Sequence, residues 1–268
     1  MQRTAASTRR LAVSAVDVTD ALPILYQDDD VVVVDKPSDL LVHRTAVDGD
    51  NDAALQRVRD QIGQWLYPVH RLDRPTSGVL VFALSAVAAQ RLGEAFRRNG
   101  VAKHYLAVVR GWPPQAGVID RPLRPDKGKA ARASRTRFAR LATAELPIAV
   151  SRYPTARYAL IMAAPDTGRY HQIRRHLNGI SHPVVGDVAR GDRHHNRFFR
   201  EHFDSHRLLL HAWRLGFRHP ASGDWQIVHA HPPAALESIT GALGWCVGDR
   251  TLEAARLKLP SAGAPPAE

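Results

Sequence analysis

The clearest pattern along the chain is a β-branched run, Val31-Val32-Val33-Val34, entered from the acidic turn Asp28-Asp29-Asp30 and left at Lys36-Pro37-Ser38-Asp39. A short unbroken apolar run between turn residues predicts a buried strand. Leu40-Leu41-Val42 predicts a return to extended chain. From Asp52 the spacing of Leu55, Val58 and Ile62 predicts one apolar helical face, with Gly63 placed to end the helix. Val79 to Leu84 predicts a second buried strand, after which Ser85 is set to cap a helix running to about Asn99-Gly100. Val101 to Val109 predicts a strand with Lys103, Tyr105, Ala107 and Val109 on one face. Further strands are predicted at Arg157 to Met162, Leu208 to Phe217 and Trp225 to Val228, separated by turns at Asp166-Thr167-Gly168 and His219 to Asp224. Together they predict an α+β fold with a mixed, mainly antiparallel sheet and flanking helices.

No repeat at a fixed period and no long low-complexity stretch divides the chain. One folded domain is expected over residues 21–250. Residues 1–20 read as a disordered basic extension and residues 251–268 as a tail, the last of it rich in Pro and Ala.

Composition narrows the partners. The 268 residues carry 37 Lys plus Arg against 26 Asp plus Glu, a net charge of +11, and Arg far outnumbers Lys. A guanidinium forks onto phosphate and stacks on bases, so the excess suits RNA, although composition alone suits plain solubilisation equally. The single cysteine, Cys246, excludes an internal disulfide and a thiolate zinc site, which fits a reducing, cytoplasmic setting. No apolar run reaches the roughly 18–20 residues of a membrane span, and no signal core follows the N-terminus. The 14 histidines show no zincin-type spacing, so no metal is expected. Without a coiled-coil pattern a monomer is expected.

The candidate chemistry lies in His70-Arg71-Leu72-Asp73-Arg74-Pro75-Thr76-Ser77-Gly78. An acid between two arginines precedes a sequence that forces a tight turn. Guanidinium groups favour an ionised carboxylate, which suits nucleophilic attack; the same aspartate can also pin the turn through Thr76 and Ser77. Local sequence leaves both roles open. Pro75 stands where an aspartyl phosphotransferase needs its second Asp, and no phosphate-cradling loop is present, so no nucleotide cofactor is expected. A non-catalytic RNA-binding protein remains as the rival reading. The basic run from Lys127 to Arg140, together with Arg190, Arg193 and Arg197, offers phosphate contacts in either case.

The segment from His70 to Gly78 resembles the signature of the RluA-type pseudouridine synthases. Lys103 to Gly111 is similar to the family's tyrosine strand, and Gly168-Arg169-Tyr170-His171-Gln172-Ile173-Arg174-Arg175-His176-Leu177 to its third motif, in the same order. The resemblance implies the pseudouridine synthase catalytic fold, no cofactor, no metal, and conversion of uridine to pseudouridine. It implies that Asp73 is the nucleophile, attacking at C1′ of the sugar or C6 of the base. It further implies that Tyr105 stacks on the extruded base with Ile173 beneath it, that Arg174 is the basic partner of Asp73, and that Arg71 helps displace the base. His70, Arg74, Thr76, Lys103, Arg169, His171, Gln172 and Arg175 are the lesser candidates for RNA contact. Two segments, Ala144 to Pro154 and His182 to Asn196, look most like a bacterial branch of the family that modifies uridine 65 of tRNA.

Overall fold

The valine run is buried on both sides because helices cover both faces of the sheet at that point. Val32 and Val34 enter one cluster with Leu80, Phe82, Ala54 and Val58, while Val31 and Val33 enter another with Val79, Val81, Ala88 and Leu92. That arrangement explains a continuous apolar run in place of an alternating one. The computed structural model describes residues 21–44, 52–125, 129–245, 247–256 and 258–259. The N-terminal extension, Lys127, Cys246 and the segment from Pro260 onward lie outside the described residues.

Among the described residues, ten strands and six helices follow in the order β1 (Ile24–Gln27), β2 (Val31–Lys36), α1 (Ala54–Ile62), β3 (Tyr67–Pro68), β4 (Ser77–Ala83), α2 (Ala86–Arg97), β5 (Ala102–Arg110), β6 (Ala116–Asp120), β7 (Arg135–Leu146), β8 (Ala156–Pro165), α3 (Gln172–Gly179), α4 (Arg193–Phe203), β9 (Leu210–Arg218), β10 (Trp225–His229), α5 (Ala234–Ala242) and α6 (Asp249–Arg256). The strands form one sheet in the order β1-β2-β4-β9-β5-β8-β7-β6, with β3 on β4 and β10 on β9. Every pairing is antiparallel except β4 with β9, which meet in parallel at Ser77 with His211 and Gly78 with Ala212. The expected α+β fold with a mainly antiparallel sheet is therefore present.

β9 joins two half-sheets. On one side β2 and β4 carry α1 and α2; on the other, α3 packs on one face of β5 and β8 through Ile173 and Leu177, and α4 and α5 pack on the opposite face through Phe198, Phe199, Leu236 and Ile239. Tyr105 of β5 touches both the α1 cluster and the α3 cluster, which places it at the seam.

The predicted caps form. Ser85 Oγ accepts from Ala88 N at the start of α2, and Gly63 ends α1 at φ 66°. Three expectations need correction. Leu40-Leu41-Val42 is no strand: it makes a single bridge, Leu41 to Ala53, because the chain turns there to start α1. The basic run, expected to offer phosphate contacts, spends part of itself on the sheet: from Arg135 it is β7, where Phe138 is buried and Arg135 and Arg137 pair with Asp166 at 3.6 and 2.8 Å. Residue 250 does not close the domain either, since Leu252 and Ala255 of α6 pack on Trp213, Leu106 and Met162.

Candidate active site

The turn ahead of β4 is fixed by two devices. Thr76 N donates to Asp73 O at 2.9 Å, closing the turn that Pro75 prepares. Beneath it the fully buried Lys36 donates from Nζ to three carbonyls, Pro37 at 2.8 Å, Leu40 at 2.7 Å and Arg74 at 3.0 Å. Burial pushes the Lys36 ammonium down to about 7, against the opposing pull of nearby carboxylates including Asp39 and Asp73.

Asp73 is held at a cleft edge, its side chain 20% exposed, and its Oδ2 accepts from Arg174 Nη1 at 3.1 Å. Arg174 is buried and turns its other two nitrogens to Asp187, Nε to Oδ2 and Nη2 to Oδ1, both at 2.7 Å. Asp187 in turn accepts from Ala189 N and Arg190 N, so a backbone loop sets the carboxylate that sets the guanidinium. Burial works against both charges of that pair. The mutual contact outweighs it, holding Asp187 below the usual carboxylate range and Arg174 above its ordinary value.

α3 owes its seat to Gln172. Its Nε2 donates to Arg135 O and Thr136 Oγ1, and its Oε1 accepts from Arg169 N and Thr167 Oγ1. His171, just before the helix, stands in the left-handed region at φ 53°, with Nε2 3.8 Å from Asp73 Oδ2. Tyr105 reaches the same place from β5; burial first, and the charge of Asp73 second, push its hydroxyl pKa up.

These groups share one cavity of about 520 Å³, lined among others by Arg71, Asp73, Lys103, Tyr105, Ile173 and Arg174. Its size is that of a small-ligand site, and its walls mix apolar side chains such as Leu72, Phe96 and Leu210 with a dense set of charged ones. Burial pushes the Lys103 ammonium down to about 8, and its Nζ donates to Thr167 O at 3.1 Å.

Residues 30–179 match the family described as RNA pseudouridylate synthase. The chain belongs to that family. It is 43% identical over 235 residues to a tRNA pseudouridine synthase C of Vibrio cholerae serotype O1, covering 84% of this chain and 96% of that one. A tRNA pseudouridine synthase C of Pectobacterium carotovorum is 46% identical over 237 residues, 84% of this chain and 62% of that one. Among solved structures, human RNA Pseudouridylate Synthase Domain Containing 4 superposes with a TM-score of 0.64 at 27% identity, over 83% of this chain and 93% of that one.

Within this pseudouridine synthase the three motifs converge, bringing Asp73, Tyr105, Ile173 and Arg174 to one cavity. Arg71, Lys103, Arg169 and His171 line it too, as do His70 and Gln172. The last two spend polar atoms on the protein. Gln172 is buried with both amide ends used on the protein, which positions α3. His70 accepts from Val81 N and stacks on Phe96 at 4.4 Å; burial pushes it down to about 3, a neutral ring serving the sheet. Arg74 and Arg175 lie outside the lining, bonded to Asp39 O and Arg124 O. Thr76 lines the cavity, buried, and its hydroxyl has no protein partner.

Lys36 and Asp187, which hold the site, and Arg97 and Tyr170, which line the cavity, carry no signal that marks them in the sequence motifs. For Asp187 a signal existed outside those motifs, in His182-Pro-Val-Val-Gly-Asp187, singled out only for its resemblance. Away from the cavity, Asp28, Asp30 and His219 bring ligand atoms within 4.8 Å of one another, a grouping hidden in the sequence; Asp28 already accepts from Tyr26 and contacts His219. No helix among the described residues is long and apolar enough to cross a membrane.

Proposed function

We propose that this chain converts one uridine of tRNA, uridine 65, to pseudouridine with Asp73 as nucleophile and no cofactor. The observation that carries the reading is the pairing of Asp73 with Arg174 at 3.1 Å on the wall of a 520 Å³ cavity that Tyr105 also lines. The tRNA substrate is supported by relatives of 43% and 46% identity that bear the name tRNA pseudouridine synthase C.

The net reaction breaks the N1–C1′ bond and forms C5–C1′, with C5 losing a proton and N1 gaining one, so no atom enters or leaves. Such an isomerisation needs a nucleophile to hold one fragment while the base turns. Asp73 attacks C1′, releasing the N1 pair to the uracil, and is displaced when C5 closes on C1′; or it adds to C6, the N1–C1′ bond breaks with its pair going to N1, C5 closes on C1′, and Asp73 is then eliminated from C6 as the C5 proton leaves. Arg174 aims the carboxylate. A uridine in a helix cannot reach Asp73 without leaving its stack, so the base is extruded, Tyr105 with Ile173 beneath it supplies a new face, and Arg71 stands at the mouth to displace it. Lys103 and Arg169 give the cavity positive charge for phosphate. The enzyme acts as a monomer in the cytoplasm.

Asp73→Asn tests the chemistry. It retains tRNA binding while pseudouridine formation falls by about 10⁴-fold or more, as removal of a nucleophile does. A variant that still modifies tRNA would end the reading of Asp73 as nucleophile, and a native protein that binds tRNA but makes no pseudouridine would leave an RNA-binding protein. Pseudouridine mapping of RNA from cells with and without the gene tests the target: signal is lost at tRNA position 65, and loss at a ribosomal site would overturn the substrate while sparing the chemistry.

A further inference from the structure

Tyr170 stands at the cavity with no task in the chemistry above. It lines the cavity but is 52% exposed, unlike Tyr105, which packs into two core clusters. Its ring lies on the imidazole of His171, centroids 3.7 Å apart and planes inclined by 22°. His171 is itself fixed: its backbone is left-handed at φ 53°, Arg190 Nε lies 3.3 Å from Nδ1, and Nε2 lies 3.8 Å from Asp73 Oδ2. A large aromatic ring is thus held in one orientation beside the nucleophile, with about half its surface open to solvent.

We propose that Tyr170 is a stacking platform for the nucleobase next to the extruded uridine, extending the RNA stack onto the Tyr170–His171 ring pair; the inference rests on the extrusion reading above. Extruding one base leaves its neighbour with a bare face, and an aromatic side chain replaces the lost partner. Tyr170 sits at the rim, so the base it meets is one that stays outside the cavity. Its stacking on His171 has already removed much of the rotamer freedom that binding would otherwise remove. Every base has a π-face, so the platform fixes position without reading sequence. A neutral ring also gives a contribution that salt leaves standing, unlike the arginine contacts around it.

The test uses the intact protein and a tRNA transcript carrying the mapped uridine, with an abasic residue placed in turn on its 5′ and 3′ side. Tyr170→Ala raises KM between about fivefold and 140-fold, the equivalent of about 1–3 kcal/mol at 1.4 kcal/mol per tenfold, with kcat changed much less. Tyr170→Phe, which keeps the ring, recovers most of the loss. Tyr170→Leu covers His171 without a π-face and behaves as Ala does. The deciding result is non-additivity: an abasic residue on one side of the target weakens the native protein by a similar factor but adds little to the defect of Tyr170→Ala or Tyr170→Leu. An equal abasic penalty in native and variant proteins, or an unchanged KM, overturns the proposal. So does a loss confined to kcat, which would mean that Tyr170 only holds His171. If the native protein makes pseudouridine and Asp73→Asn makes none, the function stands whatever Tyr170 does; if the native protein makes none, both inferences fall.

Discussion

Arg174 divides one guanidinium between two carboxylates, and only one of them faces the cavity. Asp187, with its side chain 1% exposed, is the permanent partner, which leaves Arg174 a single aimed donor for Asp73. Asp187→Ala strands a buried cation. The variant should lose about 3–5 kcal/mol in urea unfolding and should also lose activity, because Arg174 can then swing its fork wholly onto Asp73 or away; an unchanged midpoint would contradict this account. Asp73, Tyr105 and Arg174 were legible in the sequence through the order of three motifs. Asp187, Lys36 and the internal hydrogen bonds of Gln172 and His70 were not. A polar side chain that satisfies buried backbone looks the same in sequence as one that meets a substrate; only the fold shows that Gln172 has no amide group to spare.

At the level of elements, α1 and α2 were readable because their ends carry their own chemistry, Ser85 at one start and Gly63 at one finish. β2 and β4 were readable as dense apolar runs. β7 was missed because arginines mask its alternation: Arg135 and Arg137 stand half-buried on one side while Thr136 and Phe138 point to the core on the other. α4 was missed because its buried face includes His195 and Asn196, which read as polar. The parallel meeting of β4 and β9 depends on one glycine. Gly78 has φ +112°, and a Cβ there would stand 2.2 Å from Ala212 O. Gly78→Ala should therefore cost about 3 kcal/mol or more, or prevent soluble folding. Gly63, left-handed at φ +66° but in open space, provides the contrast: Gly63→Ala should cost only about 1–2 kcal/mol. Urea midpoints of the two variants compare them directly, and equal losses would refute the steric account.

Across the whole molecule, burial keeps several histidines neutral. His70 and His104 are pushed down to about 3 and His211 to about 4, all mainly by burial. Below about pH 6.5 the unfolded chain binds protons at these sites and the folded one does not, so stability falls as pH drops from about 6.5 toward 4. Asp35, pushed up to about 6 by burial, acts in the opposite sense over part of that range, against these three histidines and against His171, His176 and His195, which burial also lowers. The urea midpoint should therefore be lower at pH 5 than at pH 7.5, each such histidine steepening the slope by up to about 1.4 kcal/mol per pH unit; a midpoint that rises on acidification would show that these rings are not held neutral.

The place of β9 has one more consequence, in the order in which the molecule is made. Asp73 precedes β4 and Tyr105 lies on β5, and the strand that seats β4 beside β5 is built from Leu210 to Arg218, far later in the chain. Arg174 itself stands 101 residues after Asp73. A chain growing on the ribosome, with tRNA passing at close range, therefore carries Asp73 long before it carries the finished cavity. Modification cannot begin until residues past Arg218 have left the exit tunnel, so the topology itself keeps unfinished copies inert.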